Sequence, residues 1–195
     1  MRPNQLILAS ASPRRRTLLS EMGLAFIVQV SDVEEDDRPH LKPDRLVLNN
    51  AILKAEVVAN EEPDALVIGS DTTVSLKGKI FSKPRDHEEA MQMLEALSGQ
   101  WHKVYSGIAL RWTNGSFKDT FYEVSQVKFR TLTPPIIREY YRLVNPLDKA
   151  GAYGIQESSD LIIESIKGSF ENIMGLPTEL LANRLKKHGF NFFTD

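Results

Sequence analysis

Ser10, Ser12, Arg14, Arg15 and Arg16 crowd around Pro13 in the run Leu6-Ile7-Leu8-Ala9-Ser10-Ala11-Ser12-Pro13-Arg14-Arg15-Arg16. Hydroxyls and guanidinium groups at this spacing can bind oxyanions, and a phosphate group would fit them; the alternative is an ordinary strand–cap–helix junction with a solvated Arg run. The apolar start predicts a buried strand that runs straight into a helix. Ser12 is suited to be its N-cap, and Pro13 its first residue, where a missing N–H costs nothing. First-turn N–H groups and the positive end of the helix dipole then face the Ser10 to Ser12 loop. Successive helical residues lie about 100° apart, so at most one or two of the three arginines point at one ligand. Further cations are Lys54 and Lys83, and candidate carboxylates are Asp71 and either Glu34 or Glu35. Hydrolysis of a phosphoanhydride needs this mixture. Cations and helix-end N–H groups hold the phosphates and stabilise the transferring phosphorus, while carboxylates hold Mg²⁺ and orient or deprotonate water.

The elements that must position these groups follow from patterning. Leu18, Leu19 and Met22 give the first helix its apolar stripe, and Gly23 ends it. Residues 25–30 read as a strand that delivers the acidic run Glu34-Glu35-Asp36-Asp37, most simply a solvated loop. Pro43 and Asp44 open a helix to about residue 60, with Leu46, Val47, Asn50, Leu53 or Ile52, and Val57 at helical spacing. Lys54 is expected to snorkel outward from that stripe. Residues 65–71 read as a central strand buried on both faces, with Asp71 at its ligand-binding end. A hairpin over residues 73–76 and 80–82 leads to Lys83-Pro84-Arg85. A helix capped by Asp86 and Glu89 follows, then long strands over 101–112 and 117–130 joined at Asn114-Gly115. Thr133-Pro134-Pro135 caps a helix to about Val144, residues 161–166 form a strand, and residues 177–188 a last amphipathic helix.

With 195 residues the chain is long enough for one continuous unit, residues 1–195, built as one domain or as one domain with two lobes. A net charge of −2 provides no basic field for a nucleic-acid polymer. Cysteine is absent, which removes disulfides, thiolate metal sites and cysteine nucleophiles. The four histidines share no metal-ligand spacing, which argues against zinc. Neither G-x-x-x-x-G-K-[ST], G-x-G-x-x-G nor G-x-S-x-G occurs. No apolar run reaches signal-peptide or membrane-spanning length, so a cytoplasmic protein without a membrane partner is expected.

Seven blocks taken in order resemble the Maf family of nucleoside triphosphate pyrophosphatases. They are Leu8 to Arg15, Lys54-Ala55, Gly69-Ser70-Asp71-Thr72, Lys83-Pro84-Arg85-Asp86, Leu97-Ser98-Gly99, Pro146 to Gln156, and Gly175-Leu176-Pro177. The resemblance implies an α/β fold like that of inosine triphosphatases: a mixed twisted sheet flanked by helices, in two lobes with a cleft, and commonly a homodimer. It implies cleavage of a nucleoside triphosphate to the monophosphate and pyrophosphate with a divalent cation, Mg²⁺, Mn²⁺ or Co²⁺. By the same resemblance Asp71 is the proton acceptor, Glu34 and Asp71 hold metal, and Ser10, Ser12, Arg14, Arg15, Lys54 and Lys83 bind phosphates. Arg14, Thr72 and Gln156 match the subclass acting on dTTP and UTP, whereas the 7-methyl-GTP subclass has Trp, Gln and Glu there. A Gln amide offers a donor and an acceptor to a uracil edge. The alternatives are the 7-methyl-GTP activity and a nucleotide-binding regulator of septum formation. Asn49-Asn50-Ala51-Ile52-Leu53 departs from the family's more charged lead-in to the lysine, a difference expected to fall on the helix surface.

Overall fold

The computed structural model describes residues 2–36 and 41–193; Asp37, the last residue of the acidic run, and His40, one of the four histidines, lie outside them. Strand β1 (Leu6–Ala9) is apolar and buried throughout, and α1 (Pro13–Glu21) follows it directly. Strand β2 is only Ile27–Val28, shorter than residues 25–30. It lies at the sheet edge, and beyond it the Ala25 N–H donates to the carbonyl of Phe192. Helix α2 (Pro43–Glu61) leads into β3 (Leu66–Leu76), then β4 (Lys79–Phe81) and α3 (His87–Leu97). Strands β5 (Trp101–Trp112) and β6 (Phe117–Phe129) are the long hairpin expected at Asn114-Gly115. Helix α4 (Pro134–Leu143), 3₁₀ turns at Ala150–Ala152 and Ser159–Leu161, and β7 (Ile163–Lys167) come next. Helices α5 (Phe170–Met174) and α6 (Thr178–Lys187) complete the order. No helix among the described residues is long and apolar enough to cross a membrane.

The sheet order is β2-β1-β3-β5-β6-β7, with β4 also paired to β3. It is mixed: β2 and β3 run parallel to β1, and every other pairing is antiparallel. Strand β3 does not end at Asp71 as the apolar run suggested. The small and acidic residues there resemble a strand end, but β5 pairs along β3 from Val67 to Ser75 and carries it through. On its other edge, β3 pairs with β1 only as far as Gly69 and with β4 only from Val74. Ser70, Asp71, Thr72 and Thr73 therefore border a gap between two partner strands, and a ligand can reach side chains on both faces of the sheet there.

Two apolar layers cover the β1 half. Ile7, Ala9, Val67 and Ala109 pack on Ala51, Ala55 and Val58 of α2, while Leu8, Leu66, Ile68 and Ile108 pack on Leu18, Leu19, Leu181 and Leu185 of α1 and α6. A separate core around Val104, Phe129, Leu94, Tyr140 and Tyr153 builds the other lobe. Helix α2 lies very close to the sheet because β3 and β5 have glycines beneath it. A Cβ at Gly69 would stand 2.1 Å from the carbonyl oxygen of Ala51, and one at Gly107 would stand 2.6 Å from that of Val47. Backbone atoms cannot yield at such distances, so these two positions set how near α2 residues come to Asp71.

His102 belongs to the second core, edge-on to Phe129 and Tyr153, with Nε2 2.9 Å from the Tyr153 hydroxyl. Burial pulls its pKa down from 6.5 to about 4. The unfolded chain takes up a proton between those values that the folded chain refuses, so stability from this residue is full above pH 6.5 and falls as pH drops towards 4. Urea unfolding should show wild type losing about 2–3 kcal/mol more than His102→Gln between pH 7 and pH 4.5. Equal losses would mean that the imidazole is not held neutral.

Candidate active site

The junction of β1 and α1 forms as its residues dictate. Ser12 has extended backbone angles, and its Oγ accepts from the Arg15 N–H at 3.5 Å. Ser10 Oγ accepts from the Ser12 N–H at 3.3 Å and from Arg15 Nη1 at 3.0 Å. The Arg15 guanidinium is buried and its other two nitrogens donate to the Gly175 carbonyl at 2.9 Å and to Thr72 Oγ1 at 3.0 Å. All three of these acceptors are neutral, so its charge is fixed in direction without being neutralised by contact. Burial lowers its pKa, the nearby charges of Asp71 and Glu35 oppose that, and Arg14 adds to it. Arg14 points across the cleft, donating to Asp148 Oδ2 at 3.0 Å and to the Asp148 carbonyl at 3.2 Å. Arg16 is exposed, so two of the three arginines serve one cavity.

Asp71 lies on the opposite face of β3 from Thr72, towards α2. Lys54 does not snorkel outward. It is buried, and its Nζ donates to Asp71 Oδ1 at 2.9 Å and to the Ser70 carbonyl at 3.4 Å, and pairs with Glu35 Oε1 at 3.0 Å. The buried face of α2 is Leu46, Val47, Asn50, Ala51, Lys54, Ala55, Val58 and Ala59, so the stripe is rotated from the one read through Leu53 and Val57. Glu35, and not Glu34, is the member of the acidic run that lines the cleft and reaches Lys54; Glu34 lies outside the lining. The choice between these two neighbours decides which carboxylate reaches Lys54. Burial works to raise the Glu35 carboxyl, but Lys54, by charge and hydrogen bond, with Lys83 and Arg15, outweighs it and holds the group below its usual range.

These groups share a cleft of about 300 Å³. Ser10, Ser12, Arg14, Arg15, Lys54, Asp71, Thr72 and Lys83 all line it. Gln156 does not: it is exposed, one residue past Ile155, which does line the cleft. The far wall is apolar, with Val74, Val104, Tyr153 and Ile173. Sequence reasoning missed Asn50, which is buried and donates to Asp71 Oδ2 at 3.2 Å. The signal available was its spacing of four from Lys54 on one helix face. It also missed α5, whose Ser169 cap and Gly175 at φ 117° bracket a helix too short to show periodicity. Gly175 matters here because its carbonyl holds Arg15, Ser70 and Thr72 together.

No group of three or more His, Asp or Glu side chains able to hold a metal ion occurs among the described residues. Two carboxylates, Glu35 and Asp71, do meet at one nitrogen inside a cleft lined with cations. That donor set fits Mg²⁺ or Mn²⁺, which take one or two carboxylates and complete their shell with water and phosphate oxygens. The mixed sheet and this cleft define an α/β protein with guanidinium and hydroxyl groups on one side of a strand gap and a carboxylate pair on the other. Residues 5–188 match the family described as Maf-like protein, and the chain belongs to that family. It is 43% identical over 185 residues to a dTTP/UTP pyrophosphatase of Akkermansia muciniphila, covering 95% of this chain and 97% of that one. A protein of the same name from Acetivibrio thermocellus is 42% identical, with 95% and 96% covered, and one from Gloeobacter violaceus is 43% identical, with 93% and 94% covered.

Proposed function

We propose that this protein is a nucleoside triphosphate pyrophosphatase acting on dTTP and UTP. The observation that carries the reading is the juxtaposition of a buried, uncontested guanidinium at Arg15 with the Glu35–Lys54–Asp71 cluster in one cleft. The names of its relatives support the same substrates. Arg15, Arg14 and Lys83, with the backbone N–H of Arg14, bind the phosphates. Glu35 and Asp71 hold a divalent cation, which neutralises phosphate charge when bound. Asp71 orients a water molecule towards the α-phosphorus and accepts its proton as the new P–O bond forms and the α–β bridging bond breaks. Monophosphate and pyrophosphate leave. Lys54 holds the two carboxylates in place, and Thr72 holds Arg15. The apolar wall at Val74, Val104 and Tyr153 takes the base, and Gln156 meets its edge from the rim.

Pyrophosphate release with Mg²⁺ or Mn²⁺ across dTTP, UTP, CTP, GTP and 7-methyl-GTP tests this. The expected kcat/KM for dTTP and UTP exceeds that for the others by about tenfold or more, the discrimination that roughly 1.4 kcal/mol of base contact supplies. Equal values end the pyrimidine assignment, and binding without turnover ends the enzymatic one. Gln156→Glu should narrow the preference for dTTP; an unchanged ratio removes Gln156 from the base contacts.

A further inference from the structure

Asn50 is 2% exposed and lies one helical turn before Lys54. Its carboxamide stands between the acidic segment and Asp71. Oδ1 accepts from the Asp36 N–H at 2.7 Å, while Nδ2 donates to the Asp36 carbonyl at 3.0 Å and to Asp71 Oδ2 at 3.2 Å. Both amide hydrogens and one oxygen lone pair are thus engaged. Reading both backbone groups of one residue imitates a paired rung of an antiparallel ladder, and it fixes the path of the chain at Asp36. Glu35 precedes that anchored residue and reaches Lys54 at 3.0 Å. The same carboxamide sets the rotation of Asp71, since Asn50 holds one carboxylate oxygen and Lys54 the other. Elsewhere the buried face of α2 is Leu, Val and Ala; its two polar members, Asn50 and Lys54, both reach Asp71. Filling space against the sheet does not require a carboxamide here.

We propose that Asn50 is a positioning residue: it clamps the acidic segment to Asp71, fixing the separation of Glu35 and Asp71 and with it the affinity of the site for a divalent cation. Its effect on hydrolysis rests on the function proposed above; its effect on the segment and on cation binding does not.

The test compares wild type with Asn50→Leu, which keeps the volume and removes the hydrogen bonds, and with Asn50→Ala should the leucine variant not fold. Three measurements are made on each folded protein: hydrogen exchange at the Asp36 amide, Mn²⁺ affinity by calorimetry in the presence of inorganic pyrophosphate, and kcat and KM for dTTP. In the variant the Asp36 amide is expected to exchange at least about tenfold faster, as a protected amide does when its acceptor is lost. Mn²⁺ binding should weaken by about tenfold, and kcat should fall by about tenfold or more with KM within about threefold, the split that a transition-state positioning role produces. Unchanged exchange at Asp36, or unchanged Mn²⁺ affinity, overturns the proposal. Should wild type hydrolyse no nucleotide while the exchange and Mn²⁺ shifts appear, the clamp stands and the assigned reaction falls.

Discussion

Replacing Asp71 with asparagine should lower kcat for dTTP by on the order of 10²-fold or more while the protein stays folded. The side chain keeps its shape, so the loss is one of charge and basicity. As a carboxylate, Asp71 accepts from Lys54 through Oδ1 and from Asn50 through Oδ2. An amide can still accept from Lys54, but its nitrogen then meets the Asn50 nitrogen, donor against donor. A buried polar pair left in that state costs about 1–3 kcal/mol, readable as a shift of several degrees in Tm, while Lys54 keeps Glu35 as its counter-charge. On the proposed mechanism the catalytic loss is larger because two contributions disappear together: the proton acceptor for water and one of the two carboxylates proposed to hold the cation. Steady-state kinetics with saturating Mn²⁺ separate them in part, since excess cation offsets weakened binding and cannot restore a base. A loss of less than about fivefold under those conditions would take Asp71 out of the reaction.

Local chemistry made the β1–α1 junction legible in the sequence. Ser12, Pro13, the apolar run before them and the arginines after them act within a few residues of one another, and the structure has them as read. The hairpin around Asn114-Gly115 was legible for the same reason. What the sequence did not show depends on distant partners. Strand β3 continues through Asp71 because β5, more than thirty residues later, pairs along it. Lys54 is buried because Gly69 and Gly107 let α2 sink onto the sheet, which turns that face of the helix towards Asp71. In the acidic run four neighbouring carboxylates are chemically equivalent in sequence. Only the direction of each side chain at the cleft edge, with Asp36 held by Asn50, distinguishes Glu35 from Glu34. Asn50 fell on the helical stripe, but its role was not legible because its partners lie 14 residues before it and 21 after.

The largest expected change in stability is that of Lys54→Met. Exposed ion pairs contribute little, usually below about 1 kcal/mol, and the Arg85–Glu89 pair is of that kind. The Lys54–Asp71 pair is different: each side chain is only 10% exposed, and the same ammonium also bonds Glu35. Methionine fills the stem's volume and leaves two facing carboxylates without their counter-charge. Removing one partner of a buried pair costs about 3–5 kcal/mol, because the other charge stays desolvated. Glu35, held below its usual range partly by Lys54, should then titrate at higher pH. A carboxyl whose folded pKa is depressed contributes stability that is present above its unfolded pKa and lost as pH falls through the folded one. With the depression removed, that contribution disappears, so the deficit of the variant should be greatest near neutral pH and narrow on acidification. Denaturant unfolding at pH 7 and pH 4 measures both effects. Added Mn²⁺ gives the decisive comparison: a cation binding between Glu35 and Asp71 replaces the missing charge, so Mn²⁺ should raise the Tm of Lys54→Met more than that of wild type. An equal rise in both proteins, or a deficit that widens in acid, would mean that Lys54 does not hold these two carboxylates together.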